Sequence, residues 1–380
     1  MTVFRSILAL LLGSPLIPAF AFDVIVVDTN GSGDFTSLAA ATIAAADGDV
    51  LLVRPGDYGG DNVLINAKGL TIVRDGAGTV RGTGPSSTGN TTPSLIVIRN
   101  LPAGKEVHLS GLSYDMTEMA FCNGLILIED SEPWADGAPC QVGALFCNSV
   151  TITNSNLRGV DGFEISGGQQ NDGANGGGGL TVVESTVTVY STAMLGGDGD
   201  DGVSDPYGCG TGGDGGPGLS VLGSASVVRH LDCTFSGGDG GEGDCSNGLP
   251  GPDIDNSGGT LIPLAMMVYP ITGDAVIREG NTYTLSIGGI PGTVPALLTS
   301  TAMFQRNLPP SVGVLHLLWP FSVNYLSPIP DSGVLNFDIA IPTLPNGVDS
   351  AWRIMQLAIN DPLGRFLTRP FSLTVVDDGF

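Results

Sequence analysis

Val50-Leu51-Leu52-Val53, Leu70-Thr71-Ile72-Val73, Leu95-Ile96-Val97-Ile98, Leu125-Ile126-Leu127-Ile128, Val150-Thr151-Ile152-Thr153, Leu180-Thr181-Val182-Val183 and Leu219-Ser220-Val221-Leu222 start 20, 25, 30, 25, 30 and 39 residues apart. Self-similarity at this period marks a solenoid, in which no repeat buries its own apolar face and each stacks on the next. The spacing predicts one parallel strand per coil in register, with further strands between. Alternation such as Val150-Thr-Ile-Thr turns one side inward and the other outward.

Working outward, residues 23–53 read as the capped start of such a stack. Val24–Val27 is a first strand, Asn30-Gly31-Ser32-Gly33 a turn, and Thr36 or Ser37 an N-cap for a short Ala-rich helix from Leu38. Upstream, Arg5, the apolar run Ile7–Gly13 and Ala19-Phe20-Ala21 predict a signal peptide over 1–21. That run is too short to span a bilayer, and no later stretch is long enough. The β-helical domain is expected over 22–260.

Towards its end the coils lengthen through Gly-rich insertions, and residues 159–259 hold 30 of the 58 glycines. From 261 to 380 glycine falls and proline rises. Short alternating strands with turns such as Pro345-Asn346-Gly347 predict a small antiparallel β-sandwich, with Trp319 and Trp352 in its core. The fold class is therefore all-β.

A net charge of −24, with Lys68 and Lys105 the only lysines, argues against nucleic acid or anionic membrane as partner, since both need Lys/Arg footprints. It fits a secreted or cell-surface protein, and export permits disulfides. Phe121-Cys122-Asn123 recurs as Phe146-Cys147-Asn148, which puts both cysteines at one station of adjacent coils, as a disulfide or as stacked thiols. Cys209 and Cys245 can staple two insertions. With Cys140 and Cys233 present, fifteen pairings are possible.

Gly31-Ser32-Gly33-Asp34-Phe35-Thr36-Ser37-Leu38, followed by Gly48-Asp49-Val50-Leu51-Leu52-Val53-Arg54-Pro55-Gly56-Asp57-Tyr58, resembles the opening of pectin-lyase-like right-handed parallel β-helices. The resemblance covers roughly residues 23–260 and implies that fold. Its enzymes act on polysaccharides, but the methylesterase, polygalacturonase and lyase catalytic motifs are missing here. A fold shared by many functions does not choose among them.

Gly196-Gly197-Asp198-Gly199-Asp200-Asp201-Gly202-Val203-Ser204 matches the calcium nonapeptide position for position, making Asp198, Asp200 and Asp201 candidate Ca²⁺ ligands. The same region supports a second reading. Gly212, Gly215 and Gly218, and Gly237, Gly240 and Gly243, recur every third residue, the spacing at which polyproline-II-like strands pack closely. Catalytic candidates are Asp161 and Glu164 near Arg158, and His230 with Asp232, since paired acids suit glycosidic cleavage. Surface ion pairs account for the same residues. Two functions are expected from this pattern. One is non-catalytic binding of a glycan, extracellular matrix or cell-surface component, aided by Ca²⁺. The other is a polysaccharide lyase or glycoside hydrolase.

Overall fold

The computed structural model describes residues 22–82, 94–132, 141–162, 172–203, 208–264, 269–309, 312–361 and 364–380. Residues 1–21, expected to be a signal peptide, lie outside the described residues, as do Cys140 and Glu164. The chain forms two compact units. One comprises Leu51–Pro263 with Val26–Asp47; the other comprises Leu264–Phe380 with Gly48–Val50 and residues 22–25.

The first unit is dominated by long parallel sheets of nine and seven strands. The chain visits them alternately. Met116–Ala120 lies in the seven-stranded sheet, Leu125–Glu129 in the nine-stranded one, Gln141–Leu145 returns to the first, and Ser149–Thr153 to the second. This alternation is consistent with a parallel β-helix. It also corrects the expected register. Leu70 pairs with Val107, and Leu95 pairs with Met116, so the strands starting at Leu70 and Leu95 belong to different sheets. Both sheets need the same inward apolar residues, so their strands look alike in sequence.

The corners between sheets explain why the passes are so short. A single left-handed residue turns the chain at Asn100, Phe121, Phe146 and Glu184 after the seven-stranded sheet. Asp130, Asn154, Ser191 and Asp232 do so after the nine-stranded one. Bulky residues seldom adopt this conformation. Stacking offsets its cost: the Phe121 and Phe146 rings lie parallel, 5.3 Å apart.

Helix Leu38–Ala44 is capped as expected, with Ser37 Oγ accepting from Ala40 N–H. Leu38 and Ala41 are buried, and Lys68 Nζ donates to the carbonyls of Thr42 and Ala45, a cation at the negative helix end. In the following motif the buried Tyr58 hydroxyl reaches the carbonyls of Val27 and Arg54, tying adjacent passes together. His108, without a visible partner in sequence, forms a buried pair with Glu129 at 2.8 Å.

In the second unit, the three-stranded antiparallel sheet containing Thr282–Gly288 and Val334–Ala340 shares one core with a five-stranded sheet built on Ser350–Asp361 and Gly364–Val376. Leu285, Ile287, Leu357, Ile359 and Phe371 fill it. This is consistent with a sandwich. Behind the five-stranded sheet, buried Gln356 donates to the carbonyls of Val314 and Thr368 and accepts from His316 N–H. Trp319 departs from expectation. It is 74% exposed, because it follows strand Val314–Leu317 at the rim rather than continuing inside. Trp352 is half-buried.

Candidate functional site: the glycine bundle and the aromatic corner

Three short strands, Asn156–Arg158, Ala193–Leu195 and Thr234–Ser236, pair in parallel. From each the chain runs outward as an extended segment and returns to the seven-stranded sheet as another. The outgoing segments are 159–162, 196–203 and 237–244; the returning ones are 172–179, 209–218 and 246–252.

Hydrogen bonds among them follow a period of three. One glycine of each triplet donates to the parallel neighbour, as Gly196 to Ser236 and Gly199 to Asp239, or Gly212 to Ser246 and Gly215 to Leu249. The next residue donates to the antiparallel neighbour, as Gly213 to Asp200, Gly216 to Gly197, Gly238 to Gly216 and Gly241 to Gly213. A three-residue turn with all bonds between segments is polyproline-II-like packing.

The third residue completes the pattern. Its N–H donates to a side chain on the preceding segment: Asp198 to Asp161 Oδ1, Asp239 to Asp198 Oδ1, Glu242 to Asp201 Oδ1, Asp214 to Asn175 Oδ1 and Leu249 to Asp214 Oδ1. Each of these distances is 2.7–2.8 Å. A short side chain ending in an acceptor is what this position requires, and Asp and Asn satisfy it.

These contacts assign work to the calcium candidates. Asp198 and Asp201 accept main-chain N–H bonds from the neighbouring segment. Asp200, one residue out of phase with both, sits where the neighbours carry glycine, and its Oδ2 is buried without a hydrogen-bond partner. The three carboxylates do not converge, and among the described residues no group of three His, Cys, Asp or Glu is arranged to hold a metal. The expected outcome follows: Asp198→Asn retains the acceptor for Asp239 N–H and leaves that amide protected from exchange. Asp198→Ala removes it, at about 1.5–3 kcal/mol for a hydrogen bond to a charged group, towards the low end because solvent screens this half-exposed carboxylate. Amide exchange and melting in calcium against EDTA check this. Calcium-dependent stabilisation that Asp198→Asn abolishes would contradict it.

The first catalytic cluster is partly assembled. Arg158 Nη2 bridges Asp161, at 3.0 Å, and Asp198, at 3.1 Å, where the outgoing segments leave their strands. Burial opposes the charge on Arg158, but its hydrogen bonds to Asp161 and the fields of both carboxylates outweigh this, raising its pKa. The second cluster is not assembled. His230 stands edge-on to Phe235, at 5.3 Å, with its pKa lowered by burial, while Asp232 accepts from Ser191 Oγ at a corner.

Reasoning from sequence missed the outer face of the seven-stranded sheet. Ala120, Leu145, Val183 and Leu222 occupy one row across it, paired in register, and the last three are partly exposed. The stacked Phe121 and Phe146, 59% and 48% exposed, flank this row at the next station. The available signal was the Phe-Cys-Asn recurrence, whose cysteines drew attention away from its phenylalanines. Beside the rings, Asn148 Nδ2 donates to Asn123 Oδ1. The result is a short apolar row that ends at Arg99 beyond Ala120, with the exposed ring pair beside it, a candidate contact surface.

The described residues include no helix long and apolar enough to cross a membrane. Comparison with protein-family models gives no match, and comparison with curated proteins gives none either.

Proposed function

We propose that this chain is an exported, right-handed parallel β-helix of the pectin-lyase-like kind with a sandwich-like second domain, acting as a non-catalytic glycan-binding protein at a cell surface or in extracellular matrix. One observation carries the reading: the exposed, stacked Phe121–Phe146 pair beside the apolar row of Leu145, Val183 and Leu222. The exposed rims of the stacked rings and the aliphatic side chains beside them offer apolar surface to the C–H groups of sugar rings, with amides at the edge for their hydroxyls. The charge of −24 favours a neutral polymer over an anionic one.

The Cys209–Cys245 disulfide is compatible with an oxidising compartment. Enzymatic cleavage by Asp161 and Asp198 is the weaker reading, since each already binds a main-chain N–H and both share Arg158. Co-sedimentation with insoluble neutral polysaccharides tests the proposal. Phe121→Ala with Phe146→Ala is expected to weaken binding at least tenfold, equivalent to about 1.4 kcal/mol, with the melting profile retained. Unchanged binding, or release of new reducing ends by the wild-type chain, would overturn it.

A further inference from the structure

Beneath the exposed ring pair the same two corners carry the buried thiols Cys122 and Cys147. Their stations are fixed on both sides. Before them, Ala120 pairs with Leu145 and the two phenylalanines stack. After them, Asn148 N–H donates to the Cys122 carbonyl and the Asn123 and Asn148 amides bond. Residues so paired on neighbouring parallel strands have Cα atoms about 4.8 Å apart, inside the 4.4–6.8 Å range of disulfides.

We propose that Cys122 and Cys147 are a second oxidisable pair, closing into a disulfide that cross-links consecutive passes of the chain. The proposal does not depend on glycan binding.

Exchange begins with whichever of the two thiols is deprotonated first, for instance Cys122. The co-reactant is a small disulfide, RS–SR. Cys122 thiolate attacks one of its sulfurs, forming a mixed disulfide and expelling RS⁻. Cys147, deprotonated in turn, attacks the Cys122 sulfur and expels the second RS⁻. Both protons pass to the released thiolates. Two protein thiols are oxidised and one donor disulfide is reduced.

Because both sulfurs are buried in the finished fold, exchange takes place before these passes close. Burial pushes Cys233 up to about 11, and its Sγ contacts the carbonyls of Val189 and Leu231, much as Cys122 Sγ contacts those of Ile98 and Ala120.

The test uses the wild-type chain, refolded with glutathione disulfide, denatured in iodoacetamide without reductant, digested and weighed. The expected result is a cross-linked pair of peptides carrying Cys122 and Cys147, two hydrogens lighter than the separate peptides together. Only Cys140 and Cys233 should be alkylated. Alkylation of Cys122 and Cys147, or a cross-link from either to Cys140 or Cys233, would overturn the proposal. Since the readout is taken on the wild type, it does not depend on a variant folding.

Discussion

A Gly216→Ala chain is expected to lose the glycine bundle while keeping its parallel sheets. A Cβ at Gly216 would lie 2.0 Å from the Gly177 carbonyl oxygen; at Gly238 it would meet that of Gly197 at 2.0 Å. None of the bundle's glycines has a positive φ, so the requirement is for space and not for unusual backbone. The obstructing atoms are backbone carbonyls, which accept the bundle's own hydrogen bonds and have no rotamer to escape into. Relief requires segments 172–179 and 209–218 to separate. That breaks bonds such as Gly173 to Thr211 and Gly176 to Asp214, and disturbs those that Gly216 makes to Gly197 and receives from Gly238. Overpacking costs about 1–3 kcal/mol, and each lost hydrogen bond adds about 0.5–1.5 kcal/mol. A loss above about 3 kcal/mol is therefore expected. Hydrogen exchange reports it directly: amides of 196–202, 212–218 and 238–241 should lose protection while those of Leu125–Glu129 and Ser149–Thr153 retain it. Pro217→Ala, at the outward phase of the same segment, is the control. Unchanged protection in the Gly216→Ala chain would mean that the segments are not packed as described.

The second large effect is a pH dependence in the second unit. His316 is buried, and burial lowers its pKa from the usual 6.5 to about 3. Above about pH 6.5 the ring is neutral in both states and contributes no slope. Between about 6.5 and 3 the unfolded chain takes up a proton that the folded chain does not, so stability falls as the pH falls through that window. One pKa unit corresponds to about 1.36 kcal/mol, so the loss approaches about 5 kcal/mol by pH 3. Carboxylates titrate in the same range, and a difference between two chains isolates the histidine. His316→Gln, neutral at every pH, should flatten the stability profile below pH 6.5 in urea unfolding. Parallel profiles for the two chains would show that the imidazole is protonated inside the fold.

The strands were legible because parallel sheets buried on their inner faces demand dense β-branched and leucine residues. Leu180–Val183 and Leu219–Leu222 stand where the pattern placed them. Which sheet each strand joins was not legible. Leu70-Thr-Ile-Val and Leu95-Ile-Val-Ile satisfy the same inward requirement from different walls. The Gly-rich region carried two readings, and the triplet spacing anticipated the observed packing. Asp198 and Asp201 fit the nonapeptide by composition, yet their phase of three sends them towards the next segment's N–H groups. The Cys209–Cys245 bond was legible as one staple among several. The aromatic strip was not, because it depends on a phenylalanine adopting left-handed backbone at Phe121 and Phe146, a conformation no propensity argues for. Trp319 was misplaced for the converse reason: large aromatics are usually inside, and only the strand's end at Leu317 puts this one at the rim.

The bundle has a thermal consequence. Its interior consists of glycine backbone rather than hydrocarbon, so opening it exposes peptide groups and little apolar surface. Apolar exposure raises the heat capacity of unfolding and polar exposure lowers it. Hydrophobic stabilisation also weakens on cooling. The sheets should thus show the usual domed stability curve, whereas the bundle's curve should be nearly straight and still rising in the cold. Two regions joined through one chain would then respond oppositely to chilling, with the glycine layer firmest where the leucine core begins to soften.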